Sequence, residues 1–334
     1  MHLEEVQGPM TALREIARTL VSTGRGILAA DESITTMSSR LEKTGVEPTE
    51  ENRRSYRELL VTTPKLSESI SGIILSDETF RQQVLGGRTF PEALAEIGIL
   101  AGIKVDTGAK PLAGAPGETV TEGLDGLRDR FEEYVNLGAA FAKWRATFTV
   151  GPSTPTARAV RANAHALARY AGLCQEAALV PIVEAEVLMD GDHTLTQCQE
   201  ATVATLGPLF DELSLMHVQL DGIVLKPNMV VAGKDNPDQP DVDEVARITV
   251  DTMRQTVPPE VPGIAFLSGG QDPEVATAHL GAMQDLRPRP WELTYSFGRA
   301  LVGPALTAWR GDPSRWQAGQ QALAERAVAN AAVR

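Results

Sequence analysis

Cysteine is scarce. The 334 residues hold two, Cys174 and Cys198, both inside helical patterns. That excludes a disulfide framework or a thiolate metal site as the basis of the fold. Histidine is thin as well: His2, His165, His193, His217 and His279 are scattered without ligand spacing, so no metal site is expected. Positive charge is the minority sign, 31 Lys and Arg against 44 Asp and Glu. A net charge of −13 argues against a nucleic-acid partner. No run of about eighteen apolar residues suggests a membrane partner. The opening Met1-His2-Leu3-Glu4-Glu5 is acidic and lacks an apolar core, so no secretory leader is read and a cytoplasmic protein is expected. Neither a G-x-G-x-x-G turn after a strand nor a Walker A loop is present.

Apolar residues make up 43% of the chain, enough for one large core and a single domain over residues 1–334. Eight short apolar stretches alternate with helical patterns. They are Ile27–Ala30, Gly72–Leu75, Ile103–Val105, Phe141–Thr147, Val180–Val187, Gly222–Leu225, Gly263–Leu267 and Trp291–Phe297. Eight βα units in this length predict a closed (β/α)8 TIM barrel with additional N- and C-terminal helices; an open doubly wound sheet is the competing arrangement. A helix over Thr11 to Val21 turns Leu13, Ile16, Ala17 and Leu20 to one face. The Gly- and Pro-rich stretch from Gly108 to Gly117 reads as a loop, and a helix bearing Leu124, Leu127, Phe131 and Tyr134 follows.

Charged residues gather where these strands end, which in a barrel is the reactive face. In order they are Asp31, Asp77, Lys104 with Asp106, Lys143 with Arg145, Glu184 with Glu186, Lys226 and Arg299, with Ser268-Gly269-Gly270 after the seventh strand. Side chains two apart on a strand share a face, so the pairs project together. A structural ion-pair network would explain the pairing, but not the gathering at one end. Lys226 precedes Pro227, which stops the strand there. Taken alone, such a lysine is more often a solvated strand end than a nucleophile. Beside Lys143 and Arg145 and among apolar walls, its ammonium form is disfavoured and a neutral amine can attack a carbonyl. Glu184 is placed to move protons at an amine adduct, and Asp31 is a second acid–base group. Ser268-Gly269-Gly270 offers backbone N–H groups and Arg299 a guanidinium, a pairing that suits phosphate.

Three motifs are set aside. Leu267-Ser268-Gly269-Gly270-Gln271 matches the ABC-type ATPase signature but lacks a Walker A partner. Asp190-Gly191-Asp192-His193 does not complete EF-hand spacing. Glu47 to Glu51 reads as a solvated helix start.

The motifs Gly26-Ile27-Leu28-Ala29-Ala30-Asp31-Glu32-Ser33, Gly102-Ile103-Lys104-Val105-Asp106, Phe141-Ala142-Lys143-Trp144-Arg145, Pro181-Ile182-Val183-Glu184, Leu225-Lys226-Pro227-Asn228-Met229, Phe266-Leu267-Ser268-Gly269-Gly270-Gln271 and Gly298-Arg299-Ala300-Leu301 run nearly end to end. In this order they resemble the class I, Schiff-base-forming fructose-1,6-bisphosphate aldolases. The resemblance implies reversible cleavage of fructose 1,6-bisphosphate to dihydroxyacetone phosphate and glyceraldehyde 3-phosphate, in glycolysis and gluconeogenesis. It implies a cytoplasmic homotetramer with no cofactor beyond a covalent imine on Lys226. Glu184 would then serve carbinolamine formation and dehydration, and Asp31 would take the hydroxyl proton that starts cleavage. Lys143 would stabilise developing charge, and Glu186 would hold the lysine network. Ser268, Gly269, Gly270 and Arg299, with Gly298 as a further substrate contact, would bind the ketone-side phosphate. Ser33, Arg40, Lys104 and Arg145 would serve the distal half. Ser39 stands where familiar animal members carry a lysine, and Phe297 replaces their tyrosine. Longer members continue past the position of Arg334 into a mobile tail ending in tyrosine, so protonation of the cleaved fragment is expected to limit turnover here. The competing readings are a Schiff-base aldolase for another phosphorylated ketose and a non-catalytic scaffold that has kept the fold.

Overall fold

The structure is a computed structural model describing residues 4–333. The first three residues of the acidic N-terminal stretch and Arg334 lie outside it. In chain order the strands are β1 (Gly26–Ala30), β2 (Ile70–Leu75), β3 (Leu100–Lys104), β4 (Gly108–Pro111), β5 (Thr119–Glu122), β6 (Phe141–Phe148), β7 (Val180–Val187), β8 (Val224–Pro227), β9 (Gly263–Phe266) and β10 (Glu292–Phe297). The helices are α1 (Glu4–Leu20), α2 (Ile34–Lys43), α3 (Glu50–Val61), α4 (Asp77–Arg81), α5 (Phe90–Glu96), α6 (Leu127–Asn136), α7 (Ala157–Glu176), α8 (Leu195–Leu215), α9 (Val242–Thr256), α10 (Pro273–Gln284), α11 (Arg299–Trp309) and α12 (Trp316–Ala332). Eight strands close into a barrel in the order β1-β10-β9-β8-β7-β6-β3-β2, with every pair parallel. Pairing of β1 with both β2 and β10 rules out the open sheet. This is the TIM barrel expected from the eight βα units.

The strands read as apolar runs because both faces are covered. Outward residues such as Leu28, Trp144, Val183, Leu225, Phe266 and Tyr295 pack in the large outer core. Inward residues change character along each strand. Ile27, Phe141, Ile182 and Val224 join Leu13, Ala17 and Leu20 of α1 in a second core. That helix therefore stops the amino-terminal mouth of the barrel with the face its periodicity selects. Continuing in steps of two, the same inward rows reach Asp31, Lys143, Glu184 and Lys226, so the charged set occupies the opposite mouth. The connections from that mouth into α2, α4, α7 and α8 end in Ser33, Ser76, Thr156 and Thr194, whose hydroxyls accept a backbone N–H of the first helical turn.

Two expectations are corrected. The stretch from Gly108 holds an antiparallel hairpin, with Gly108 opposite Glu122 and Pro111 opposite Thr119. Its first strand, Gly-Ala-Lys-Pro, has no apolar alternation to announce it. Backbone bonds make it, including Thr107 N–H to the Glu122 carbonyl at 2.9 Å. Leu124 precedes α6, which starts only after Gly126 at φ +64°.

Candidate active site

All fourteen side chains and glycines expected at the site line one open cavity of about 570 Å³ at the carboxyl mouth of the barrel. Its centre is Glu184 on β7. Register sets Arg145 of β6 and Lys226 of β8 on either side of it. Glu184 Oε1 lies 3.4 Å from Lys226 Nζ, and Oε2 lies 3.2 Å from Lys143 Nζ. Lys143 Nζ is 2.6 Å from Asp31 Oδ2. These four groups are all buried, so each charge depends on the others.

Burial sets the two lysines apart. At Lys226 desolvation outweighs the pull of Glu184, Lys143 adds like-charge repulsion, and the amine falls below the ordinary lysine range. Lys143 is equally desolvated, but Asp31 and Glu184 together hold it protonated, above the ordinary range. Desolvation of Asp31 is overcome by Lys143 and Lys226, which bring its carboxyl down to about 2. Glu184 is lowered too, its desolvation offset by Lys143, Lys226 and Arg145. One neutral-prone amine thus sits beside one fixed cation and two ionised carboxylates. A buried amine of this kind suits nucleophilic attack on a carbonyl, with a proton carrier in contact.

Toward the β9 and β10 side, Ser268, Gly269 and Gly270 form a tight turn, with the two glycines at φ +58° and +97°. Gln271 bonds the Ser268 carbonyl at 3.0 Å and is gripped by His279 Nδ1 at 2.7 Å. Arg299 begins α11 directly opposite: a Cβ placed on Gly270 would come within 3.0 Å of its guanidinium. The left-handed φ of Gly270 favours glycine, and the turn sets backbone N–H groups, a helix N-terminus and a guanidinium close together, an arrangement suited to an anion.

A sequence model described as "Fructose-bisphosphate aldolase class-I" matches residues 12–334. The chain belongs to the class-I fructose-bisphosphate aldolase family. It is 54% identical, over 95% of its length and 96% of the relative's, to a probable fructose-bisphosphate aldolase class 1 of Xanthomonas campestris pv. campestris. It is 49% identical to fructose-bisphosphate aldolase B of Gallus gallus, over 96% of this chain and 88% of that one. A solved structure of fructose-bisphosphate aldolase from Plasmodium falciparum superposes with a TM-score of 0.96 at 42% identity, covering 97% of this chain and 94% of that one. The family is one of lyases, and the barrel is the one seen in that structure.

Within this aldolase barrel the distal wall holds Ser33, Arg40, Lys104 and Arg145. Ser33 also caps α2 through a 3.2 Å bond from Thr36 N–H. Lys104 Nζ bonds Asp106 Oδ1 at 2.7 Å. Glu186, expected to hold the lysines, bonds Arg145 Nε at 2.6 Å instead. Asp77 does not join the ring. Inward positions on β2 run through Ile74, which turns residue 77 outward, where it pairs with Arg81 and accepts from the Tyr134 hydroxyl at 2.7 Å. Several wall residues were not among the expected site residues. Glu32 bonds Arg40 on one oxygen and the buried Arg57 on the other, the latter at 2.7 Å. Ser296 points a buried hydroxyl with no protein partner into the wall. Thr36, Thr147, Leu188 and Asp190 also line the cavity. Among the described residues no group of three or more His, Cys, Asp and Glu side chains is arranged to hold a metal ion, and no helix is long and apolar enough to cross a membrane.

Proposed function

We propose that this chain, as a single barrel domain, catalyses reversible aldol cleavage of fructose 1,6-bisphosphate through an imine on Lys226. The observation that carries the proposal is the buried Lys226 amine, lowered below the ordinary lysine range and 3.4 Å from Glu184. Lys226 attacks the C2 ketone. Glu184 carries the proton the nitrogen sheds to the oxyanion, giving the carbinolamine, and then delivers a second proton, taken up from solvent, to the departing hydroxyl, so water leaves and a protonated imine remains. Asp31, ionised at neutral pH, accepts the C4 hydroxyl proton beside the fixed charge of Lys143. The C4 oxygen becomes a carbonyl, the C3–C4 bond breaks, and its electron pair moves through C2 to the imine nitrogen. Glyceraldehyde 3-phosphate departs. The enamine left on Lys226 is then protonated at C3 and hydrolysed to dihydroxyacetone phosphate. Ser268, Gly269, Gly270, Gly298 and Arg299 hold the ketone-side phosphate, and Ser33, Arg40, Lys104 and Arg145 the distal one. Glu186 fixes Arg145. The resemblance to the family extends the proposal to a cytoplasmic homotetramer.

The imine is itself the electron sink, so the reaction needs no divalent ion. A coupled cleavage assay on fructose 1,6-bisphosphate, fructose 1-phosphate and sedoheptulose 1,7-bisphosphate, run with excess EDTA, tests the proposal. Turnover of fructose 1,6-bisphosphate should persist undiminished. Loss on chelation with recovery on adding zinc or cobalt would contradict it, as would cleavage of the other sugars alone.

A further inference from the structure

From the Lys104 and Asp106 geometry, and resting on the function just proposed, we infer that Asp106 is a positioning residue that fixes Lys104 for the distal phosphate. Both residues line the cavity, but the Asp106 side chain is buried, 3% exposed, whereas that of Lys104 is 22% exposed. The acid therefore stands behind the amine rather than in front of it. Lys104 Nζ gives one proton to Asp106 Oδ1 and another to the Asp106 carbonyl, both at 2.7 Å. An ammonium has three N–H donors, so one is left for a ligand.

The carboxylate is itself immobilised from two other elements. Oδ1 accepts the Gly108 N–H at 3.0 Å, where the β4–β5 hairpin begins, and Oδ2 accepts the Arg145 N–H at 3.2 Å on β6. Both oxygens are thus engaged by protein, and a direct contact between Asp106 and a phosphate would be repulsive. What the bracket supplies is order. A free lysine stem has many rotamers to lose on binding, and one already held has few. The same bracket sets Arg145 at its backbone, so two of the distal cations share one anchor.

The test is a double-mutant cycle with two substrates. Fructose 1,6-bisphosphate carries the distal phosphate; fructose 1-phosphate does not. Asp106→Asn keeps one acceptor oxygen but sets an NH2 donor against a donor. It should raise KM for the bisphosphate by about tenfold, the loss of one charged hydrogen bond. KM for fructose 1-phosphate and kcat on both substrates should stay within about twofold of the starting values. In a Lys104→Met background the same change should add less than about twofold, because coupled residues do not add. Equal losses on both substrates, full additivity with Lys104→Met, or no effect at all would overturn the inference. If Asp106→Asn does not fold, Asp106→Glu carries the test: it keeps the charge but displaces it by one methylene, and the same selective rise in KM is expected. Failure of the unaltered chain to cleave either sugar would defeat the proposed function itself, and this inference with it.

Discussion

Four buried charges divide the work at the level of single residues. Lys226 and Lys143 are both desolvated; burial prevails at Lys226 and lowers it, whereas the carboxylates prevail at Lys143 and raise it. Lys143 faces both Asp31 and Glu184, whereas Lys226 has one close carboxylate and a neighbouring cation. Asp31 carries a measurable consequence for stability. Its carboxyl is lowered from 3.8 to about 2 in the folded chain. The unfolded chain therefore binds that proton first as pH falls. The stabilisation is fully present above about pH 4 and is lost as pH drops towards 2, on the order of 2 kcal/mol in all. Asp31→Asn should flatten the acid limb of the stability curve across that window, read by urea unfolding at stepped pH. An unchanged limb would show that Asp31 is not held down by the lysines. At the other end of the cavity, Arg299→Ala should cost about 1.5–3 kcal/mol of substrate binding, the worth of a charge-assisted phosphate contact. The loss should shrink for a ketose without the ketone-side phosphate. Equal losses on both would place Arg299 elsewhere.

The elements show why so much was visible in the sequence and why some was not. Strand rows with period two carry apolar residues at one mouth and charge at the other, so Phe141, Lys143 and Arg145 could be set on one face before any coordinates. The same rule, applied to the row through Ile74, would have turned Asp77 outward. The β4–β5 hairpin was illegible because its strands are short and polar, and backbone bonding across seven intervening residues defines it. Arg57 lies in a polar-looking helix yet is 2% exposed, because Glu32, twenty-five residues away, supplies its partner. Sequence shows a charge; it does not show which charge a distant element brings to it. The α1 stopper was legible as an amphipathic face, though not as a plug. Leu20→Ala should lower global stability by about 2–5 kcal/mol by emptying space in that plug. Denaturant unfolding would register the loss while KM stays constant, since the plug and the cavity lie at opposite mouths. A raised KM without a loss of stability would contradict this placement.

The whole molecule is acidic, at −13, yet its cavity is balanced. Six lining cations, Arg40, Lys104, Lys143, Arg145, Lys226 and Arg299, meet six carboxylates, Asp31, Glu32, Asp106, Glu184, Glu186 and Asp190. The lining is less acidic than the chain taken whole, although the site is not a positive basin. In the proposed reaction, selectivity for a bisphosphate would rest on placed donors rather than on bulk field. The proposed catalysis turns on one bond, the imine between Lys226 and a ketone. Borohydride reduction in the presence of dihydroxyacetone phosphate, followed by peptide mass mapping, tests it most directly. The predicted result is one stable adduct per chain, on the peptide containing Lys226; an adduct on Lys143 or Lys104, or none at all, would contradict it.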